Sequence, residues 1–377
     1  MKTLLVIPLW SLGFRPFYLA ASAFAALSVV LWILQYAGVI PMGALRGPAW
    51  HAHEMLFGYA MAVIAGFLFT AVPNWTGRPT PSGLALASIV GLWLVGRVLV
   101  LTPFDMAAAL VNAAFPLAVA VGIGIPLLGS GNKRNYFFLA LLVGASAAAL
   151  LFHLAEMGRI EWPARAGLQA GLDIVLFIVT VVAGRVIPMF TNNGVPGAGA
   201  SRRPWLEKAS LGSVLGVLAL DVVQVDGALL AVVAVVAAAF NTARLHLWHP
   251  WRTFRTPLVW ILHAAYAWIP IHLLLRALAE AGWTAAPLAT HALTVGVIGG
   301  MTIGMMTRTA RGHTGNPLVA GRAEVWAYAL VMLAAIVRVL VPLALPSLYL
   351  ACVVGSGLLW FAAFAIYFVR YWPMLTR

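Results

Sequence analysis

Charge is scarce in this sequence, and acid scarcest. Of 377 residues only 9% are charged, and ten are Asp or Glu; a soluble domain carries about 25% charged residues. A water-soluble globular protein is therefore excluded. The single cysteine, Cys352, rules out an intrachain disulfide and a thiolate-rich metal site. No soluble domain or low-complexity segment interrupts the chain. No cleavable signal is expected, because Arg15-Pro16 leads into a first apolar run long enough to span. What remains is 63% hydrophobic, with a mean hydropathy of +0.97. The net charge of +13 sits mostly in short segments between apolar runs. That pattern reads as a topology signal rather than a nucleic-acid surface, so no nucleic-acid partner is expected.

Twelve apolar runs follow one another, at 17–37, 52–73, 83–102, 106–129, 135–157, 167–188, 207–225, 227–247, 257–277, 286–306, 323–343 and 346–369. Each is near the length that crosses a bilayer. The expected fold is an all-α integral membrane protein of about twelve transmembrane helices, forming one polytopic domain over 1–377. The seventh and eighth runs are separated only by Asp221–Gly227. With the N-terminus inside, seventeen basic residues, Arg244 among them, fall inside and six fall outside, including Arg97, Arg276 and Arg338. This asymmetry places both termini in the cytoplasm.

The chain also resembles itself. A constant shift of 238 residues superposes His53 on His291, Gly58 on Gly296, Gly66 on Gly304 and Pro79 on Pro317. The stretch LLFHLAEMG (150–158) matches LLRALAEAG (274–282) at six of nine positions. The simplest account is three four-helix repeats, 1–130, 131–250 and 251–377, in parallel orientation. A pseudo-threefold arrangement would follow, unlike the inverted repeats of many transporters.

Placed by depth, His51, His53, His153, His272 and His291 share one outer layer, although they come from four helices. His263, His313, His246 and His249 lie toward the cytoplasm, and RLHLWHPWR around the last two reads as an interfacial belt. Ionisable groups at membrane depth are costly and mark function. The alternative is interfacial snorkelling and helix–helix hydrogen bonding. Glu54, Glu156 and Asp173 lie near the same face, where a carboxylate orients a ligand histidine or gives a proton. Glu54 follows His51 by three residues and so shares its helix face. His53 points elsewhere, so the two histidines serve different centres or His51 precedes the helix. His53 and His291, on helices of equal direction, suit the axial positions of a haem. His51 and His153 are left as copper ligands, since imidazole favours copper over calcium or magnesium. Glycines 58, 66, 296, 299, 300 and 304 would admit close helix approach or a flat macrocycle.

WHAHEMLFGYAMAVIAGFLFTAVPNWTGRP, AGRVIPMFTNN, ILHAAYAWIP, HALTVGVIGGMTIGMMTRTARGHTG and LGFRPFYL together resemble the NnrS family over most of the chain. The resemblance implies a bacterial inner-membrane protein that contains haem, of b type, and copper, and that serves denitrification and defence against nitric oxide. By motif it carries over His51, His53, Glu54, His153, His263, His291 and His313; His272 lies outside it. An analogy to haem-copper oxidases follows at fold level only, and their copper-ligand positions on helices 6 and 7 hold no histidine here. The expected function is oxidoreductase action on nitric oxide, two molecules giving nitrous oxide, with Glu54 or Glu156 supplying protons and an unknown electron donor. Two alternatives stand beside it: nitric-oxide binding or sensing without turnover, and transport of a small solute or metal.

Overall fold

The structure is a computed structural model that describes residues 7–40 and 47–377. Lys2 and Arg46, both counted for topology, lie outside the described residues. No strand occurs among the described residues. Twelve long helices follow the apolar runs: α1 Phe14–Tyr36, α2 Pro48–Thr76, α3 Gly83–Leu99, α4 Asp105–Ser130, α5 Phe137–Glu156, α6 Ala164–Gly194, α7 Pro204–Val222, α8 Ala228–Leu247, α9 Pro257–Glu280, α10 Ala286–His313, α11 Arg322–Ala344 and α12 Tyr349–Thr376. This is an all-α membrane protein, and among the described residues ten helices are long and apolar enough to cross a bilayer. The other two are α3, at 17 residues, and α7, which carries Glu207, Lys208 and Asp221. In α7 the acids are paired: Glu207 meets Arg244 and Asp221 meets Arg276. Pairing is what makes such charges tolerable away from water.

Two helices close in the same way. At Gly158 and Gly282 the chain turns left-handed, at φ +66° and +74°. Arg159 N–H reaches back to the Leu154 carbonyl at 2.9 Å, and Trp283 N–H to the Leu278 carbonyl at 2.9 Å. Both are six-residue closures that satisfy the last orphan carbonyls, and glycine takes the positive φ without a Cβ penalty. The matched strings LLFHLAEMG and LLRALAEAG thus end α5 and α9 with the same cap. Between α7 and α8 the link narrows to five residues, 223–227, a tight turn with Gln224 and Gly227 both at positive φ.

Three helices contain a widened π turn: Glu54–Ala60 in α2, Ala292–Gly299 in α10 and Ile336–Leu340 in α11. A π turn inserts one residue and so changes which face the following side chains occupy.

The chain packs as two compact units. The first comprises residues up to Ile174 together with Phe368–Arg377, and the second comprises Val175–Tyr367. In the first unit Phe14, Phe17, Tyr18 and Phe69 are fully buried, and Phe14 N–H donates to Thr70 Oγ1 at 3.1 Å. In the second, glycines admit bulk: a Cβ on Gly299 would press on the Trp360 ring, and one on Gly304 would lie 2.9 Å from Leu262. The α10 glycines are therefore helix-packing positions, filled by side chains of neighbouring helices.

Candidate metal centre in the first unit

The π turn of α2 begins at Glu54, directly after His53. Both side chains are buried, His53 at 0% and Glu54 at 1% exposure. His53 Nδ1 lies 2.7 Å from Glu54 Oε1. A carboxylate paired with a cation accepts only, so His53 donates from Nδ1 and keeps a lone pair on Nε2. That Nε2 faces His153 Nε2, from α5, at 3.0 Å. The two rings meet edge to face at 4.6 Å between centroids. Phe152 stacks on His53 at 5.3 Å and Phe57 flanks it at 5.4 Å, so the pair sits in an apolar shell. Trp32, Trp50, Val100 and Ala108 continue that shell around Phe152.

Glu54 is held from its other side by Arg97 of α3, whose Nη1 donates to Oε1 at 2.9 Å. Arg97 Nη2 donates to Asn112 Oδ1 of α4, and Asn112 Nδ2 donates to the Ala108 carbonyl at 2.8 Å. The guanidinium lies 5.9 Å from the ring centroids of both Phe24 and Trp93, within cation–π range. Trp93 Nε1 donates to the Gly58 carbonyl at 2.9 Å, which ties α3 to the widened turn of α2. The result is one continuous chain: His153, His53, Glu54, Arg97, Asn112.

This arrangement differs from the expected one. His51 does not face His153; its ring stacks on Trp32 at 4.9 Å with planes 16° apart. The physical reasons are the indole, which takes the His51 ring, and Arg97, which draws Glu54 toward α3. His51 and His153, the expected copper ligands, are thus not brought face to face, and His153 faces His53 instead. Glu156 ends α5 exposed to solvent, whereas Asp173 is buried and accepts from Gln169 Nε2 at 3.0 Å. Arg97 was counted as a topology charge, yet it is buried. The only sequence signal for its role is a lone arginine inside the apolar run LWLVGRVLV.

The other histidines belong to the second unit. Thr191 Oγ1 gives its hydrogen to the Ile187 carbonyl at 2.8 Å, so His263 Nε2, 2.8 Å from that oxygen, is the donor. His263 Nδ1 is then a buried lone pair without a partner. His272 donates from Nδ1 to the Ala289 carbonyl at 2.8 Å, and its Nε2 is likewise buried and unpartnered. His291 is part-buried and donates from Nδ1 to the Pro287 carbonyl at 2.6 Å, while His313 ends α10 exposed. His246 and His249 both lie against Trp251. The belt reading of RLHLWHPWR holds for the exposed Trp251 but fails for Trp248 and Arg244, both buried. Arg244 makes a two-pronged pair with Glu207, at 3.0 and 2.6 Å, and donates to Tyr266 Oη at 3.1 Å. Tyr266 in turn donates to Asn241 Oδ1 at 2.5 Å.

Two imidazole nitrogens bound to one ion at about 2.0 Å each lie about 3 Å apart, the separation found here. No group of three or more His, Cys, Asp or Glu suited to a metal ion occurs among the described residues. A fully protein-enclosed tetrahedral site is therefore not what the pair forms. At 3.0 Å apart the two nitrogens could take adjacent positions on one ion, with its other positions filled from outside the pair.

The fold and this centre together define a multi-pass helical membrane protein with a buried histidine pair anchored by a carboxylate and an arginine. The family profile for NnrS protein matches residues 8–377, and the chain belongs to that family. Membership links it to the nitric-oxide response. Comparison with curated proteins finds no match.

Proposed function

We propose that this chain is a membrane metalloprotein acting on nitric oxide, with His53 Nε2 and His153 Nε2 holding copper. The observation that carries the reading is the pair of buried ring nitrogens facing each other at 3.0 Å, one of them anchored behind by a carboxylate. Imidazole is a good copper ligand, and a carboxylate on the far ring nitrogen is the usual orienting partner. Bound copper would supply a one-electron redox centre with an open position for a small neutral molecule. Phe57 and Phe152 exclude water from the pair, and Glu54 fixes the His53 ring. Nitric oxide is small and uncharged, so it reaches such a site through the bilayer.

This reading places haem at other histidines than His53, because the His53 Nε2 faces another imidazole and Phe57 and Phe152 lie against its ring. The second unit holds the remaining buried lone pairs, His263 Nδ1 and His272 Nε2. Orientation is part of the proposal too. Arg15, Arg97, Arg202, Arg244, Arg276, Arg308, Arg311 and Arg338 are held in ion pairs or against aromatic rings, so their charge is spoken for within the protein. Setting these eight aside leaves twelve basic residues inside and three outside, which favours cytoplasmic termini and an outer-facing centre in the inner membrane of a bacterium.

Reduction of two NO to N2O and water takes two protons and two electrons, which an unidentified donor would supply. One observation favours the alternative of binding without turnover. Glu54 is committed to Arg97 and His53, and Glu156 is exposed at a helix end. Copper analysis of the purified protein, with NO loss followed by electrode and N2O by gas chromatography, separates the cases. Copper-dependent N2O formation, lost in His53→Ala and His153→Ala, supports reduction. One NO taken up per copper without N2O supports binding. Equal copper content in wild type and both variants would sink the copper assignment.

A further inference from the structure

We infer that Arg97 is a positioning residue that fixes the tautomer of His53 through Glu54. The inference rests on the reading above, in which the His53–His153 pair is the metal centre. Two donors converge on one oxygen: His53 Nδ1 at 2.7 Å and Arg97 Nη1 at 2.9 Å from Glu54 Oε1. While that oxygen is held in line with Nδ1, the His53 hydrogen stays on Nδ1 and the lone pair on Nε2 is aimed at His153. Among the described residues only His53 and Arg97 donate to that oxygen, so Arg97 is what holds it in place for His53. Without Arg97 the ring is free to carry its hydrogen on Nε2, where a ligand lone pair is needed.

Arg97 is built for this duty. Asn112 takes its Nη2, the Phe24 and Trp93 faces cover its charge, and Gly58 leaves room for Nη1 that any side chain would fill. The holding groups come from four helices, so the guanidinium registers α1, α2, α3 and α4 against one oxygen. A planar fork that reaches a carboxylate and an amide at once is a task for arginine, not lysine.

The test is made on full-length protein in detergent or nanodiscs. Nitrogen-15 NMR of histidine-labelled, metal-free protein reads the tautomer of His53, assigned by the loss of its signals in His53→Ala. Competition with a chromophoric copper(I) chelator reads affinity. In wild type the Nδ1–H form of His53 dominates. Arg97→Gln mixes the tautomers and weakens copper binding by about 10–100-fold, the usual cost of losing such an outer partner. Glu54→Gln does the same, and the double variant is no weaker than either single one, because both break one chain. Arg97→Lys recovers part of the loss. If Arg97→Gln does not fold, Arg97→Lys and Asn112→Ala carry the measurement, with smaller shifts in the same direction. Unchanged tautomer and affinity in folded Arg97 variants would overturn the inference. Should wild type hold no copper at the pair, the metal reading falls instead, and the tautomer measurement on metal-free protein still decides the role of Arg97.

Discussion

Replacing Gly58 by alanine tests how tightly the cage around Arg97 is closed. A Cβ built there overlaps Arg97 Nη1 and lies 2.8 Å from Phe24 Cε1 and 3.4 Å from Arg97 Cδ. Ordinary contact begins near 3.4 Å, so the guanidinium or the phenyl ring must leave. Phe24 packs edge-on to Trp93 at 5.6 Å, which opposes its retreat. The guanidinium therefore moves, and its bond to Glu54 is the one in the way. Separating a buried ion pair costs about 3–5 kcal/mol, against at most about 1 kcal/mol gained by alanine over glycine in a helix. The net loss is roughly 2–4 kcal/mol. Gly91, in α3 of the same unit, is the control, because a Cβ there meets nothing within 4 Å. Gly91→Ala should be neutral or stabilising by up to about 1 kcal/mol. Unfolding in mixed micelles of rising denaturing-detergent fraction, followed by helical circular dichroism, measures both. Equal midpoints for Gly58→Ala and Gly91→Ala would falsify the argument, since it depends on the space around the two glycines and not on glycine as such.

Other outcomes follow from the same geometry. Gly184→Ala places a methyl group in the Arg244 guanidinium and 2.8 Å from Glu207 Oε2, so by the same balance a net loss of roughly 2–4 kcal/mol is expected in the same unfolding assay; Gly212→Ala, in open space, should not destabilise. His51→Ala should keep its copper while His153→Ala loses it, checked by elemental analysis, because only His153 faces His53. Glu156→Gln should leave the rate of NO loss unchanged at the electrode, because that carboxylate is exposed at the end of α5.

Much of this was legible in the sequence. Apolar runs fix helices because a bilayer leaves the backbone no other partner, and the twelve runs became twelve helices. His53, Glu54 and His153 stood out because ionisable groups at that depth need a reason. The partners did not stand out, for two physical reasons. The charge-bias rule treats every arginine as a loop residue, whereas Arg97 and Arg244 are neutralised by carboxylates brought from other helices. The second is that a side chain's direction depends on what meets it: His51 and Glu54 share the regular start of α2, where the Glu54 N–H bonds the Trp50 carbonyl, yet Trp32 takes the His51 ring and Arg97 takes the carboxylate. The glycines were read correctly as sites of close approach, but the sequence does not tell which bulky side chain each one admits.

The shift of 238 that superposes His53 on His291 also superposes the start of one π turn, Glu54, on the start of another, Ala292. Backbone and sequence thus agree at the same offset. The chemistry does not follow the backbone, however. At the position of Glu54 the second copy has Ala292, and His291 gives its Nδ1 hydrogen to the Pro287 carbonyl of its own helix. A carbonyl one turn back is set by the helix itself, whereas Glu54 is set by Arg97 from α3. The widened turn is thus a shared scaffold, and the carboxylate makes one copy of it a ligand-orienting site. Glu54→Ala should give α2 the chemistry of α10: a folded helix and a His53 ring that no longer holds its partner. Helical content near wild type with weakened copper binding is the expected result, and loss of the fold would show instead that Glu54 is needed chiefly to neutralise Arg97.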